Sequence, residues 1–246
     1  MIIDVHAHLD FLEEKKLKEI ETNPKIKLVI TNSVNLESCK KNLELVKKYK
    51  KIKLAVGLYP EKNLSLKKYN EFEKWILKNK QYVFAVGEIG LDFSYTKPEK
   101  KLQIEIFQKQ LKLAEELNVP AIIHTRKAEK EIVEILKNAE GKYILHCFSG
   151  NFKLVKQANE LGCYFSIPTN ITRSEHFQKM VEFLPKNKIL TETDSPYLSP
   201  YKNKKNKPEF IVETIKIISK IWKKSFDSTE EQIEKNFQKI INIYKL

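Results

Sequence analysis

The sequence predicts an α/β fold, a (β/α)8 TIM barrel forming a single domain over residues 1–246. Three observations carry this expectation. Short β-branched runs alternate with longer amphipathic stretches along the whole chain, a pattern that calls for parallel strands joined by right-handed helical crossovers. The strand candidates number eight, and 246 residues is a usual length for one closed barrel of eight units. No Gly-rich phosphate loop and no interdomain linker interrupts the alternation; the one loop rich in Pro, Asn and Lys, at 195–208, follows the eighth strand.

In chain order, the predicted strands are IIDVHAH (2–8), KLVITN (27–32), KLAVGL (53–58), YVFAVGEI (82–89), PAIIHT (120–125), YILHCF (143–148), CYFSI (163–167) and KILTETD (188–194). Helical periodicity fills 11–22, 36–50, 65–80, 99–118, 127–139, 152–161 and 174–184, and a helical tail runs from about 208 to 243. Within 99–118, for example, Leu102, Ile106, Leu113 and Leu117 fall three or four residues apart, or a multiple of that, on one apolar face.

Composition narrows the function classes. A 41% hydrophobic and 31% charged chain is globular, and no run approaches the roughly 18 apolar residues of a membrane span. Three cysteines (Cys39, Cys147, Cys163) at irregular spacing argue against a disulfide framework, so a cytoplasmic location is expected, with no membrane and no obligate protein partner. The net charge of +13 suits a polyanionic substrate, although nearly all of it is lysine, which long solvated helix faces also carry.

In such a barrel the active site collects at the C-terminal ends of the strands. Asp4-Val5-His6-Ala7-His8 ends the first strand, and two-residue alternation puts Asp4, His6 and His8 on one side. Glu88 sits in Val86-Gly87-Glu88-Ile89-Gly90, read as a glycine-flanked turn at the mouth. His124 and His146 close the fifth and sixth strands, and Glu192 and Asp194 share a face of the eighth, Asp194 nearer the mouth. Glu192 reads as a supporting charge partner, Cys147 as packing, and His176, in a helical stretch, as a surface residue. Taken singly these residues say little, since a lone histidine after an apolar run is commonly a satisfied core group. Jointly they say more: four of five histidines fall at strand ends, together with two carboxylates. Nitrogen and carboxylate ligands without thiolate suit Zn²⁺, Mn²⁺ or Mg²⁺, and six ligands exceed the needs of one ion. Two divalent ions bridged by a carboxylate are expected, acidifying water and neutralising charge on the attacked group.

The strings IIDVHAHLD, VGEIGLDF, IIHTR, HCFSG and TETDSPYLSP, in this order, resemble the TatD family of metal-dependent deoxyribonucleases across nearly the whole chain. The resemblance implies a barrel of the amidohydrolase superfamily acting on DNA ends or abasic sites. It implies one ion held by His6, His8 and Asp194, a second by His124 and His146, and Glu88 between them, with Asp194 and Glu88 catalytic. The chain departs from the family pattern at Tyr59 and Glu61 after the third strand, at Lys205-Asn206-Lys207-Pro208 after the eighth, and at Val5. Arg126 and Arg173 are the two arginines of a lysine-rich chain, both near the predicted mouth; with Lys205 they are the expected substrate contacts. DNA is the expected substrate. Cleavage of an ester or amide is the alternative, including release of D-amino acids from mischarged tRNA, which the resemblance also implies; a non-catalytic metal- or nucleic-acid-binding barrel is the remaining reading.

Overall fold

The computed structural model describes residues 1–94 and 98–241. Eight parallel strands follow one another in chain order: β1 (Ile2–Ala7), β2 (Ile26–Asn32), β3 (Ile52–Val56), β4 (Val83–Asp92), β5 (Ala121–Arg126), β6 (Tyr143–His146), β7 (Tyr164–Pro168) and β8 (Ile189–Glu192). The segment after β8 closes the barrel on β1. Asp194 N–H donates to the His6 carbonyl, and His8 N–H donates to the Ser195 carbonyl, each at 2.8 Å.

Helices α1 (Glu14–Thr22), α2 (Leu36–Lys48), α3 (Leu66–Asn79), α4 (Lys100–Glu116), α5 (Glu129–Leu136), α6 (Phe152–Glu160) and α7 (Glu175–Phe183) connect the strands. Their starts are written locally: Asn35, Ser65, Asn151 and Ser174 each accept a backbone N–H of the first turn, satisfying donors that have no intrahelical partner. The chain then ends in α8 (Ile211–Trp222) and α9 (Phe226–Ile240). The tail expected as one helix over 208–243 is thus two, because Lys223 turns left-handed (φ 54°) and Ser225 caps a new start. Residues 242–243 of that expectation lie outside the described residues.

Two apolar layers hold the barrel. One lies between the strands and the surrounding helices; the other gathers Ile3, Leu28, Ile30, Ile122, Ile144 and Leu190 with Phe237 and Ile240 of α9. Because Lys27 pairs with Glu234 and the N-terminal amine with Glu230, α9 sits beneath the N-terminal ends of β1 and β2. One end of the barrel is therefore plugged, and the C-terminal end of the strands is left for chemistry.

Candidate metal centre

At that open end the structure brings six dispersed side chains together. Glu88 is the hub, 4% exposed. Its Oε2 lies 3.6 Å from His6 Nε2 and 3.5 Å from His8 Nε2. Its Oε1 lies 2.9 Å from His124 Nδ1 and 3.8 Å from His146 Nε2. Asp194 Oδ1 faces the first pair, 3.5 Å from His6 Nε2 and 3.4 Å from His8 Nε2. Two groups of candidate ligands result, His6–His8–Asp194 and Glu88–His124–His146, each with its ligand atoms within 4.8 Å of one another. His6 is fully buried and neither ring nitrogen has a hydrogen-bond partner, an arrangement costly for a polar group unless a cation occupies the space beside it. The donor set therefore fits divalent metal.

A second layer of contacts orients the rings. His8 Nδ1 lies 3.0 Å from the Asn32 carbonyl, so it carries the proton and leaves the Nε2 lone pair pointing at Glu88 and Asp194. His146 Nδ1 lies 2.9 Å from Glu192 Oε2, which does the same for its Nε2. The Tyr59 hydroxyl donates to Asp92 Oδ2 at 2.7 Å and sits 3.2 Å from His124 Nε2, which leaves His124 Nδ1 for the Glu88 side. A carboxylate or carbonyl behind each ring is the usual support of a metal-binding histidine. Glu192 also forms a group with His6 and His146. Since it approaches His146 through the ring nitrogen remote from Glu88 and also accepts from Ser166, it is better placed as support than as ligand.

Charge follows geometry. Burial opposes ionisation of Glu88, but His124 beside it and the rings of His6 and His146 hold its carboxyl well below the usual range. His6 is driven well below its ordinary value by burial and by His146. Burial alone would also lower His146, yet the charge and hydrogen bond of Glu192, with Asp194 and Glu88, push it up to about 10.

Several expectations need correction. Glu88 is not on a turn: β4 continues to Asp92, which pairs with Arg126 of β5, so Glu88 is fixed inside a strand. Gly57 makes room for it, since a Cβ there would lie 2.4 Å from the Glu88 carbonyl oxygen. Asp4 does not share the work of His6 and His8. The β1–β2 register slips between Asp4 and Ala7, which breaks the two-residue period. Asp4 instead accepts from the Thr193 N–H and hydroxyl, and burial pushes its carboxyl up to about 8. Asp194 lies two residues past the end of β8, in the left-handed region (φ 56°), not on the strand itself. His176 is half-buried against Phe152, its Nε2 3.2 Å from the Phe148 carbonyl, and is not a free surface residue.

The remaining sequence candidates fall on the same face. Arg126 ends β5 and is exposed; the Arg173 guanidinium donates to the Ser199 carbonyl at 2.6 Å; Lys205 is exposed in the loop after β8. Cys147 is half-buried against the core and belongs to none of the metal-competent groups among the described residues. Glu61 accepts from Asn35, the cap of α2, which gives it a structural task. Sequence reasoning missed Asn32 and Asp92. The signal for Asp92 was its place four residues after Glu88 in one apolar strand; Asn32 acts through its carbonyl, which leaves no trace in residue type.

A family model described as TatD related DNase matches residues 3–242. The chain belongs to the TatD family. It is a metal-dependent hydrolase, and similar proteins carry names of that kind. An uncharacterized metal-dependent hydrolase of Methanocaldococcus jannaschii is 38% identical over 239 residues, covering 95% of this chain and 94% of that protein. Human deoxyribonuclease TATDN3 is 31% identical over 263 residues, covering 99% of this chain and 94% of that protein. The crystal structure of the TatD homologue YJJV from Escherichia coli superposes with a TM-score of 0.89 at 25% identity, covering 98% of both chains. Among the described residues, no helix of this TatD-family protein is long and apolar enough to cross a membrane.

Proposed function

We propose that this TatD-family hydrolase is a deoxyribonuclease that cleaves phosphodiester bonds at DNA 3′ ends or abasic sites, using two divalent ions. The observation that carries the reading is the division of Glu88: one oxygen faces His6 and His8, the other His124 and His146. A single ion has no use for both faces. His6, His8 and Asp194 would hold one ion, His124 and His146 the other, and Glu88 would join them. When bound, such a pair neutralises charge on phosphoryl oxygens and acidifies water. Mg²⁺, Mn²⁺ and Zn²⁺ all suit imidazole and carboxylate donors.

The protein groups supply the rest. Asp194 is the better exposed carboxylate, 16% against 6% for Glu88, and its carboxylate would take the proton of the attacking water. His8, His146 and His124 are kept in one tautomer by Asn32, Glu192 and Tyr59, so little reorganisation of these rings is left for the reaction itself. Arg126, at the end of β5, and Arg173, in the loop after β7, lie on this face, and with Lys205 they meet the flanking phosphates. The human relative's name, deoxyribonuclease, and the net charge of +13 favour DNA over a neutral substrate.

The test sets labelled DNA with a free 3′ end beside D-aminoacyl-tRNA, each with Mg²⁺, Mn²⁺ and Zn²⁺. Nucleotide release that requires metal is the expected result. DNA left intact with every metal refutes the reading, and amino-acid release in its place moves the reaction to a carbonyl carbon.

A further inference from the structure

Two aromatic rings beside the metal centre are left in solvent. Phe11, in the short turn after β1, is 59% exposed, and Tyr197, in the loop after β8, is 54% exposed. Both stand against the same histidine, with ring centroids 6.3 and 6.2 Å from that of His8. Next to them opens a cavity of about 430 Å³, whose walls include both rings, Leu12, Pro196, Lys16 and Lys205. That volume lies in the range of small-ligand sites, and the wall mixes apolar side chains with lysines, Asn206 and the carboxylates of Glu13 and Glu209.

The charges around the cavity are unequally committed. Lys16 pairs with Glu19 at 2.7 Å, and Lys207 with Glu209 at 3.9 Å. Lys205 is exposed on the wall, and no ion pair engages it among the described residues. The rings and this lysine meet at one rim, against one edge of the metal centre. A flat π-system joined to an anion matches them, and aromatic stacking beside a cationic contact is how single-stranded nucleic acid is held without sequence preference.

We infer that this cavity seats the nucleobase next to the scissile phosphate of single-stranded DNA, stacked on Phe11 and Tyr197, with Lys205 on the neighbouring phosphate. The inference rests on the deoxyribonuclease reading for the identity of the strand. A base inside a duplex is stacked on its neighbours and hidden from both rings, so the seat selects frayed or single-stranded ends.

The experiment uses the metal-loaded protein and a phosphorothioate oligonucleotide carrying 2-aminopurine at its 3′ end, so that binding is read without turnover. Stacking on the two rings is expected to quench the probe saturably. Phe11→Leu and Tyr197→Leu are each expected to remove most of the quenching and to raise Kd roughly 5- to 100-fold, the range for one base on an aromatic ring. Lys205→Ala is expected to reduce the slope of log Kd against log salt by about 1. An oligonucleotide with an abasic residue at the same position is expected to bind the wild type and both Leu variants alike. Unchanged probe fluorescence at saturation overturns the inference; so does an equal loss of abasic-strand binding in the Leu variants, or equal affinity for a blunt duplex. Cleavage of unmodified DNA without quenching removes the seat alone, whereas quenching without cleavage supports the seat and removes the nuclease reading.

Discussion

Replacing Glu192 by Gln tests whether the support behind the rings does the work assigned to it. Glu192 is wholly buried, accepts from Ser166, and holds His146 Nδ1 at 2.9 Å, while His146 Nε2 looks towards Glu88. Gln keeps the shape and one acceptor oxygen but loses the charge. A hydrogen bond to a charged group contributes about 1.5–3 kcal/mol net, which corresponds to roughly 10- to 150-fold in an equilibrium. Outer-layer changes at metal sites cost about 10- to 100-fold in affinity or activity, in agreement with that range. Burial raises the Glu192 carboxyl above its ordinary value, so the folded chain loses little stability when the charge is removed. The expectation is metal affinity and turnover both lower by one to two decades at a thermal midpoint within a few degrees of wild type. Competitive chelator titration, turnover and thermal unfolding read the three quantities. Metal affinity and turnover within twofold of wild type would refute the supporting role of Glu192.

Other consequences are more direct. Gly57→Ala places a methyl group 2.4 Å from the Glu88 carbonyl oxygen and must shift that strand, so metal affinity should fall at least tenfold; an unchanged chelator titration would count against Glu88 as the hub. Metal at about 100 times its Kd should stabilise the fold by about 2.7 kcal/mol, raising the thermal midpoint by roughly 5–11 °C, reversibly with chelator; no shift with any of the three ions would count against the site. Burial pushes the thiols of Cys39 and Cys163 from an ordinary 9.0 up to about 12, and Cys147 well above it. Because the folded values lie above the unfolded one, thiolate is much scarcer in the native protein than in the unfolded chain at pH 8. A disulfide reagent should label these cysteines slowly until denaturant is added, and labelling of the native protein at the unfolded rate would contradict this packing.

Much of this arrangement was legible in residue order. Alternation of β-branched and amphipathic segments is a local property, so eight strands and the helices between them follow from periodicity. His124 and His146 are identifiable because each ends an apolar run, and a barrel of this class places strand ends together. Periodicity fails where the backbone leaves the ideal strand. The slip in β1 separates Asp4 from His6, and the left-handed Asp194 carries its carboxylate back to the centre after β8 has ended. Which face each carboxylate takes depends on how neighbouring strands pair, and pairing is not a property of one segment.

Residue order was thus enough to expect the barrel and the TatD family, and to name six candidate metal ligands. The folded chain adds that Glu88 turns one oxygen to each pair of histidines, and that Asn32, Tyr59 and Glu192 set the tautomers of His8, His124 and His146. The reason is distance: the three contacts that set the tautomers join residues 24 to 65 positions apart, and only the closing of strands into a ring brings such groups within reach of a hydrogen bond.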